Sequence, residues 1–218
     1  MQNKRVTTKN IALRLCVTAM FAAFLVGGKL ALSAIPNFEV VTLFVALAAY
    51  VWGIGVAIPA VFAFIAVDVA IWGVNTWVIS YVIHWNAVAV CFGLLTKFRP
   101  RKKVTEVVFA TLTAVVLTVC FGVLTTAVDT LIGFTGQGFF VDFDSFGKRF
   151  AVMYAAGLLF YVIQIATNLV LFAASFLPLV AVNRKAKLRL FGSCEKVRDD
   201  TEVQPDCGEE IREEGASE

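Results

Sequence analysis

The sequence predicts an all-α integral membrane protein with six transmembrane helices, and three observations lead there. Of its 218 residues 59% are hydrophobic and only 16% charged, with 20 Phe, a balance far more apolar than soluble domains carry. Charge-free intervals run from Leu15 to Gly28, Val40 to Val67, Val69 to Thr96, Val107 to Val128 and Phe150 to Asn183, and since a bilayer span needs roughly 17 to 25 residues, several spans follow. Lys and Arg gather at the ends of these intervals, as orientation in a membrane requires. They do not interleave with a soluble aromatic face, so the net positive charge does not indicate nucleic-acid binding.

Helix 1, residues 11 to 34, has Lys4, Arg5, Lys9 and Arg14 before it and in its first turn, and these place the N-terminus in the cytosol. Its basic start and the "TAMFAA" stretch also fit a signal peptide. Against that, Lys29 is followed by more apolar sequence, and the segment carries a pattern that a discarded peptide does not need. Ala12, Cys16, Ala19, Ala23 and Gly27 recur at spacings of four, three, four and four, so one face of the helix has almost no side-chain bulk. Such a face lets another helix approach closely, either within the same bundle or from a partner protein.

Helix 2, residues 38 to 52, and helix 3, residues 55 to 72, come from one 28-residue interval broken at "WGIG", Trp52 to Gly55, with Pro59 just beyond. Charge supports the break. With it, 16 Lys/Arg lie inside and only Lys29, Lys148 and Arg149 outside, and both termini are cytosolic; without it, the loop "KFRPRKK" and the basic C-terminal flank face outward. The head of helix 2 reads "IPNFEVV". Asn37 suits an N-cap, and Glu39 in the first turn is favoured by the helix dipole. Its charge is available to a ligand or to Lys29. That lysine can pair with Glu39 or Asp68, meet an anionic group of a ligand, or snorkel to the interface. Asp68 and Trp72 stand one turn apart at the outer end of helix 3.

Helix 4, residues 76 to 96, carries Trp77, Tyr81 and His84 as one stripe with Trp85 beside it. Helix 5, residues 104 to 128, lines up Thr118, Gly122, Thr125 and, just past its end, Asp129. Helix 6, residues 150 to 182, lines up Tyr154, Gly157, Tyr161, Gln164 and Asn168. Polar and aromatic groups are thus expected from mid-membrane to the outer surface. An interfacial belt accounts for Trp72 and Trp77. The deeper Tyr161, Gln164 and Asn168 need partners, either each other, in interhelical hydrogen bonds of about 0.6 to 2 kcal/mol, or a ligand. Between helices 5 and 6, "LIGFTGQGFFVDFDSFGK" offers glycines and Phe139 and Phe140 for a gate, or for simple burial in the interface. Residues 1 to 190 form the membrane domain. Residues 191 to 218 hold 10 of the 16 acids, without apolar periodicity, and are expected to be a disordered cytosolic tail.

The segment "TAMFAAFLVGGKLALSAIPNFEVVTLFVALAAYVWG", followed by "WGVNTWVISYVIHW", resembles the S component of an energy-coupling factor (ECF) transporter, the membrane-embedded subunit that captures substrate. The resemblance covers the chain except its tail. It implies six spans, a prokaryotic cell membrane, a vitamin or related small nutrient as ligand, and an ECF module of one T component and two ATPase subunits as partners. In that family an Ala-xxx-Ala motif on helix 1 docks against the T component, and Ala19 and Ala23 are the matching pair. The candidate binding residues from the outer half are Lys29, Asn37, Glu39, Asp68, Trp77, Tyr81, His84, Tyr161, Gln164 and Asn168. The aromatic content there suits a ligand with a flat ring.

The chain itself is not expected to be an enzyme. Its nearest approach to a phosphate-binding loop, "GGKL" at Gly27 to Leu30, lacks the first glycine and the hydroxyl residue. No Ser/His/Asp arrangement occurs, and His84 is the one histidine, with no Cys or carboxylate spaced with it. Neither cofactor nor metal is expected. Cys194 and Cys207 are twelve residues apart with no second pair, so free thiols are expected throughout. Two other readings fit the same composition. One is a stand-alone secondary transporter using Asp68, His84 or Asp129 for ion coupling; the other is a membrane scaffold without a pocket.

Overall fold

The computed structural model describes residues 2–33, 39–98, 100, 102–135 and 143–191. Asn37, the Phe139 and Phe140 loop and the acidic tail lie outside the described residues. The chain forms α1 (Gln2–Ala31), α2 (Val41–Leu47) continued by a π-helical turn (Ala48–Trp52), α3 (Ile54–Trp72), α4 (Trp77–Leu95), α5 (Lys103–Thr135) and α6 (Phe143–Phe191). Among the described residues there is no strand.

Five of these helices are long and apolar enough to cross a membrane. The exception is α2 with its π turn, 12 residues from Val41 to Trp52, or about 18 Å of helix against roughly 30 Å of hydrocarbon. Its position explains how so short an element is tolerated. Every residue from Val41 to Val51 except Phe44 is buried, because α2 packs against α1, α3, α4 and α6 at once. A helix enclosed by other helices does not have to match the bilayer, since the backbone groups at its ends meet protein rather than lipid.

The break predicted at "WGIG" falls at Gly53, whose φ of 94° and ψ of 166° lie in a region essentially closed to residues with a Cβ. Gly53 N–H bonds back to the carbonyls of Ala48 and Ala49, and Gly53 carbonyl receives the N–H of Val56, so one residue closes α2 and opens α3. Gly53→Val is therefore expected to cost about 1–2 kcal/mol. A lower thermal midpoint of the detergent-solubilised protein, with unchanged helix content, checks it. Pro59 lies inside α3 and does not end it, as membrane helices allow.

Around α2 the core is built at helical spacing. Val17, Phe21 and Leu25 of α1 point inward, as do Val61, Phe64 and Ile65 of α3 and Trp85, Val88, Ala89 and Phe92 of α4. Phe172 and Phe176 of α6 close the interior, their rings 5.5 and 5.9 Å from that of Phe92. Large apolar side chains such as Leu15, Val152 and Val170 face outward instead. On a soluble protein such a surface would be a liability; on a bundle in lipid it is the expected exterior.

The most extensive helix pair is the antiparallel α5–α6 hairpin. Tyr161 of α6 lies across its seam. A Cβ on Gly157 would come within 3.0 Å of the Tyr161 ring, and one on Gly122 of α5 within 3.1 Å, so glycine at both positions makes room for the ring. The Tyr161 hydroxyl is 2.8 Å from Thr126 Oγ1. Deeper along the seam Asn168 Nδ2 donates to Thr118 Oγ1 at 2.9 Å.

Candidate functional site

At the end of the bundle where α1 finishes and α2 begins, charged groups from separate helices meet. Lys29, in the last turn of α1, places its Nζ 2.5 Å from Asp68 Oδ2 of α3, with side-chain exposures of 28% and 4%. Of the partners open to Lys29 in the sequence, the structure selects Asp68. The same ammonium donates to Tyr81 Oη at 3.3 Å and lies 4.7, 5.3 and 5.8 Å from the ring centres of Tyr81, Trp77 and Phe64. A carboxylate together with aromatic faces is a favourable surrounding for an ammonium group.

The aromatic stripe of α4 continues from there into the bundle. Trp77 meets Tyr81 at 4.9 Å, and Tyr81 meets Trp85 at 4.0 Å. Phe64 of α3 stands edge-on to Trp85 at 5.1 Å. Phe121 of α5 joins from the other side, 4.5 Å from His84 and 6.4 Å from Trp85. Phe64 and Phe121 were not among the residues the sequence singled out, because a Phe among 20 carries no polar signal of its own.

Glu39 precedes α2 by two residues and lies outside the helices. Its Oε2 accepts a hydrogen bond of 2.5 Å from Gln164 Nε2 of α6. Burial raises its pKa to about 7; the Gln164 hydrogen bond and the Lys29 charge pull it down, and the Asp68 charge pushes it up. Gln164 thus belongs to this cluster, whereas its stripe-mates Tyr161 and Asn168 bond to Thr126 and Thr118 in the α5–α6 seam. For those two, the structure shows the interhelical hydrogen bond rather than a place in the charged cluster. Thr126, not the neighbouring Thr125, faces α6, and Thr125 bonds its own helix at Phe121 O.

Several buried polar atoms beside the cluster have no hydrogen-bond partner among the described residues, including Ser80 Oγ, His84 Nε2 and Trp85 Nε1 of α4 and Thr42 Oγ1 of α2. Native interiors leave few such groups. Ser80 and His84 are one turn apart on α4, so they lie on the same face of that helix.

A second polar cluster sits at the opposite end of α2, where the sequence raised no expectation. Tyr50 Oη donates to Glu106 Oε1 of α5 at 2.5 Å. Arg184 Nη2 of α6 is 3.8 Å from the same oxygen and stands over the Tyr50 ring at 5.6 Å. Trp52 Nε1 donates to Asn183 Oδ1 at 3.2 Å, and Lys187 Nζ to the Val51 carbonyl at 3.0 Å. These bonds hold the π turn, and Lys187 supplies a donor to the Val51 carbonyl near its end. The available signal was Glu106 itself, a lone acid just after the basic run "RPRKK". Reading that run as an exposed loop concealed it.

The small-residue stripe of α1 lies on the opposite side from Val17, Phe21 and Leu25. Ala12, Cys16, Ala19, Ala23 and Gly27 are all exposed, and no heavy atom lies within 4 Å of a Cβ built on Gly27. The stripe is therefore not used for packing inside this chain's own bundle. Cys91 and Cys120, like Cys16, are free thiols. Among the described residues no group of three or more metal-ligating side chains occurs. Compared with protein-family models, curated proteins and solved structures, the chain matches none.

Proposed function

We propose that this protein is a membrane-embedded binding subunit for a small nutrient of the vitamin class, an S component that hands its ligand to an ATP-driven ECF module. The observation that carries the reading is the cluster of Lys29, Glu39, Asp68, Tyr81 and Gln164, drawn from both ends of the α1–α2 connection and from α3, α4 and α6. Ionisable groups inside a membrane bundle are costly and mark binding or transport sites by default. Aromatic walls with a few polar anchors are how small-molecule sites gain affinity. In this reading both termini are cytosolic, the cluster opens to the outside of a prokaryotic cell membrane, and the exposed Ala19 and Ala23 face the T component. The ATPase subunits are separate polypeptides.

Mass spectrometry of small molecules that co-purify with the detergent-solubilised protein is the direct test; a protein that binds none of the water-soluble vitamins would sink the nutrient assignment. The docking assignment has its own. Ala19→Leu with Ala23→Leu places two bulky groups on a face built for close approach. The expected result is loss of T-component and ATPase co-purification with ligand binding retained. Retention of both would overturn the assignment.

A second reading is favoured by the ammonium–carboxylate pair itself, since intramembrane charges also serve ion-coupled transport. A stand-alone secondary transporter predicts ligand uptake into proteoliposomes holding this chain alone. The S-component reading predicts none until the ATPase module is added.

A further inference from the structure

The charges of the cluster do not match one another. It holds one ammonium, Lys29, and two carboxyl groups, Asp68 and Glu39. Lys29 is directly paired with Asp68. Glu39 has no ion-pair partner among the described residues; its hydrogen bond comes from Gln164, a neutral amide. The groups facing Glu39 from the surrounding helices are Lys29 of α1, Asp68 of α3, Tyr81 of α4 and Gln164 of α6. Neither His84 of α4 nor Asp129 of α5 acts on its charge. Among the described residues, Lys29 is the one cation whose charge acts on Glu39.

Resting on the reading of this cluster as the ligand site, we infer that its ligand is an organic cation, and that Glu39 ionises to receive it, releasing one proton to solvent. With Glu39 protonated, the charges of Lys29, Asp68 and Glu39 sum to zero. An anionic ligand would bring an uncompensated negative charge next to Asp68, and the Lys29 ammonium is already engaged. A neutral ligand leaves Glu39 protonated and makes no use of the second carboxyl group as a charge. A cation allows Glu39 to ionise while the site remains neutral, which a low-dielectric interior favours strongly. The walls suit the same ligand. Tyr81, Trp77 and Phe64 already present their faces to the Lys29 ammonium, and the rings of Trp85 and Phe121 extend that surface. The negative faces of such rings attract cations and gain nothing from anions.

The proton balance sets the pH dependence. Below about 7, where Glu39 is protonated, a cation must displace its proton, so affinity falls about tenfold for each pH unit of acidification and is level above that point. The probe is yeast extract separated by charge at neutral pH into cationic, neutral and anionic fractions. Each is added to the purified protein while its thermal midpoint and Trp fluorescence are followed. The expected result is stabilisation by the cationic fraction. The cation recovered from it should bind with the stated pH profile. Glu39→Gln should weaken it tenfold or more and abolish the slope. Gln164→Leu removes a hydrogen bond that favours the ionised carboxylate, so it should move the break in the profile to higher pH, which a merely structural defect would not do. Stabilisation by the neutral or anionic fraction alone would overturn the cation assignment while leaving the site reading intact. So would a cation whose affinity is flat through acid pH. If no fraction stabilises the protein, the site reading falls, and the inference with it.

Discussion

Asp68→Leu is expected to lower the stability of the folded bundle by about 3–5 kcal/mol, the cost of leaving one member of a buried ion pair without its partner. Asp68 is almost fully buried and accepts the Lys29 ammonium at 2.5 Å. Without it the ammonium keeps as direct contacts the Tyr81 hydroxyl and three ring faces, which do not neutralise a charge, and the Glu39 carboxyl acts on it only from beyond ion-pair distance. The pair itself is worth much less than its rupture, because desolvating two charges offsets most of their attraction. Lys29→Met combined with Asp68→Leu should therefore recover most of the loss. Thermal midpoints of the two single variants and the double, in one detergent, make the cycle. If the double is no better than Asp68→Leu, the contact in the structure is not the energetic pair described here. The double variant should also lose ligand binding while remaining folded, which separates the functional role of these groups from their structural one.

At the other end of α2, Glu106→Leu is expected to cost about 3 kcal/mol. Glu106 is buried; it accepts the Tyr50 hydroxyl and stands near Arg184. Its removal leaves a buried hydroxyl and a partly buried guanidinium to find other partners. Tyr50→Phe removes only the hydroxyl bond and should cost about 1.5–2 kcal/mol. A difference between the two variants measures what Glu106 contributes beyond its bond to Tyr50. Since these groups hold the π turn from Ala48 to Trp52, hydrogen exchange at Val51 and Gly53 should speed up more than exchange in α4. Equal acceleration everywhere would mean global loosening instead of release of this turn.

The paired clusters give α2 its character. It is the shortest helix among those named and the most enclosed, anchored through Glu39 before its start and through Tyr50, Trp52 and the Val51 carbonyl at its end. Apolar packing along its length has no direction, so the polar contacts at the two ends are what define its position along the bundle axis. A vertical slip of one turn would separate both sets of partners.

Composition alone indicates a membrane protein here, since no soluble fold can hide so many apolar side chains. The helix boundaries follow from local chemistry. Gly53 and Gly73, both at positive φ, are breaks that glycine alone takes without strain, and the basic runs mark helix ends because charges leave the hydrocarbon. The stripe on α4 was legible for the same reason: helical spacing of three and four residues survives any tertiary arrangement. Partner choice was not legible. The sequence offered Lys29 two carboxylates, and distance between helices chose Asp68 for it and Gln164 for Glu39. Tyr161, Gln164 and Asn168 share one helical stripe, yet a rotation of α6 against α5 sends the first and last to the hairpin seam and the middle one to Glu39. The alanine face of α1 was equally ambiguous until Val17, Phe21 and Leu25 claimed the inward side. Glu106 was hidden altogether, because an acid beside five bases looks solvated until Tyr50 and Arg184 are brought to it from 56 and 78 positions away in the chain. Spacing along one helix is a local property, and residue order contains it in full. Which side chains from different helices meet depends on the rotation and depth of each helix, quantities fixed only when all six pack together.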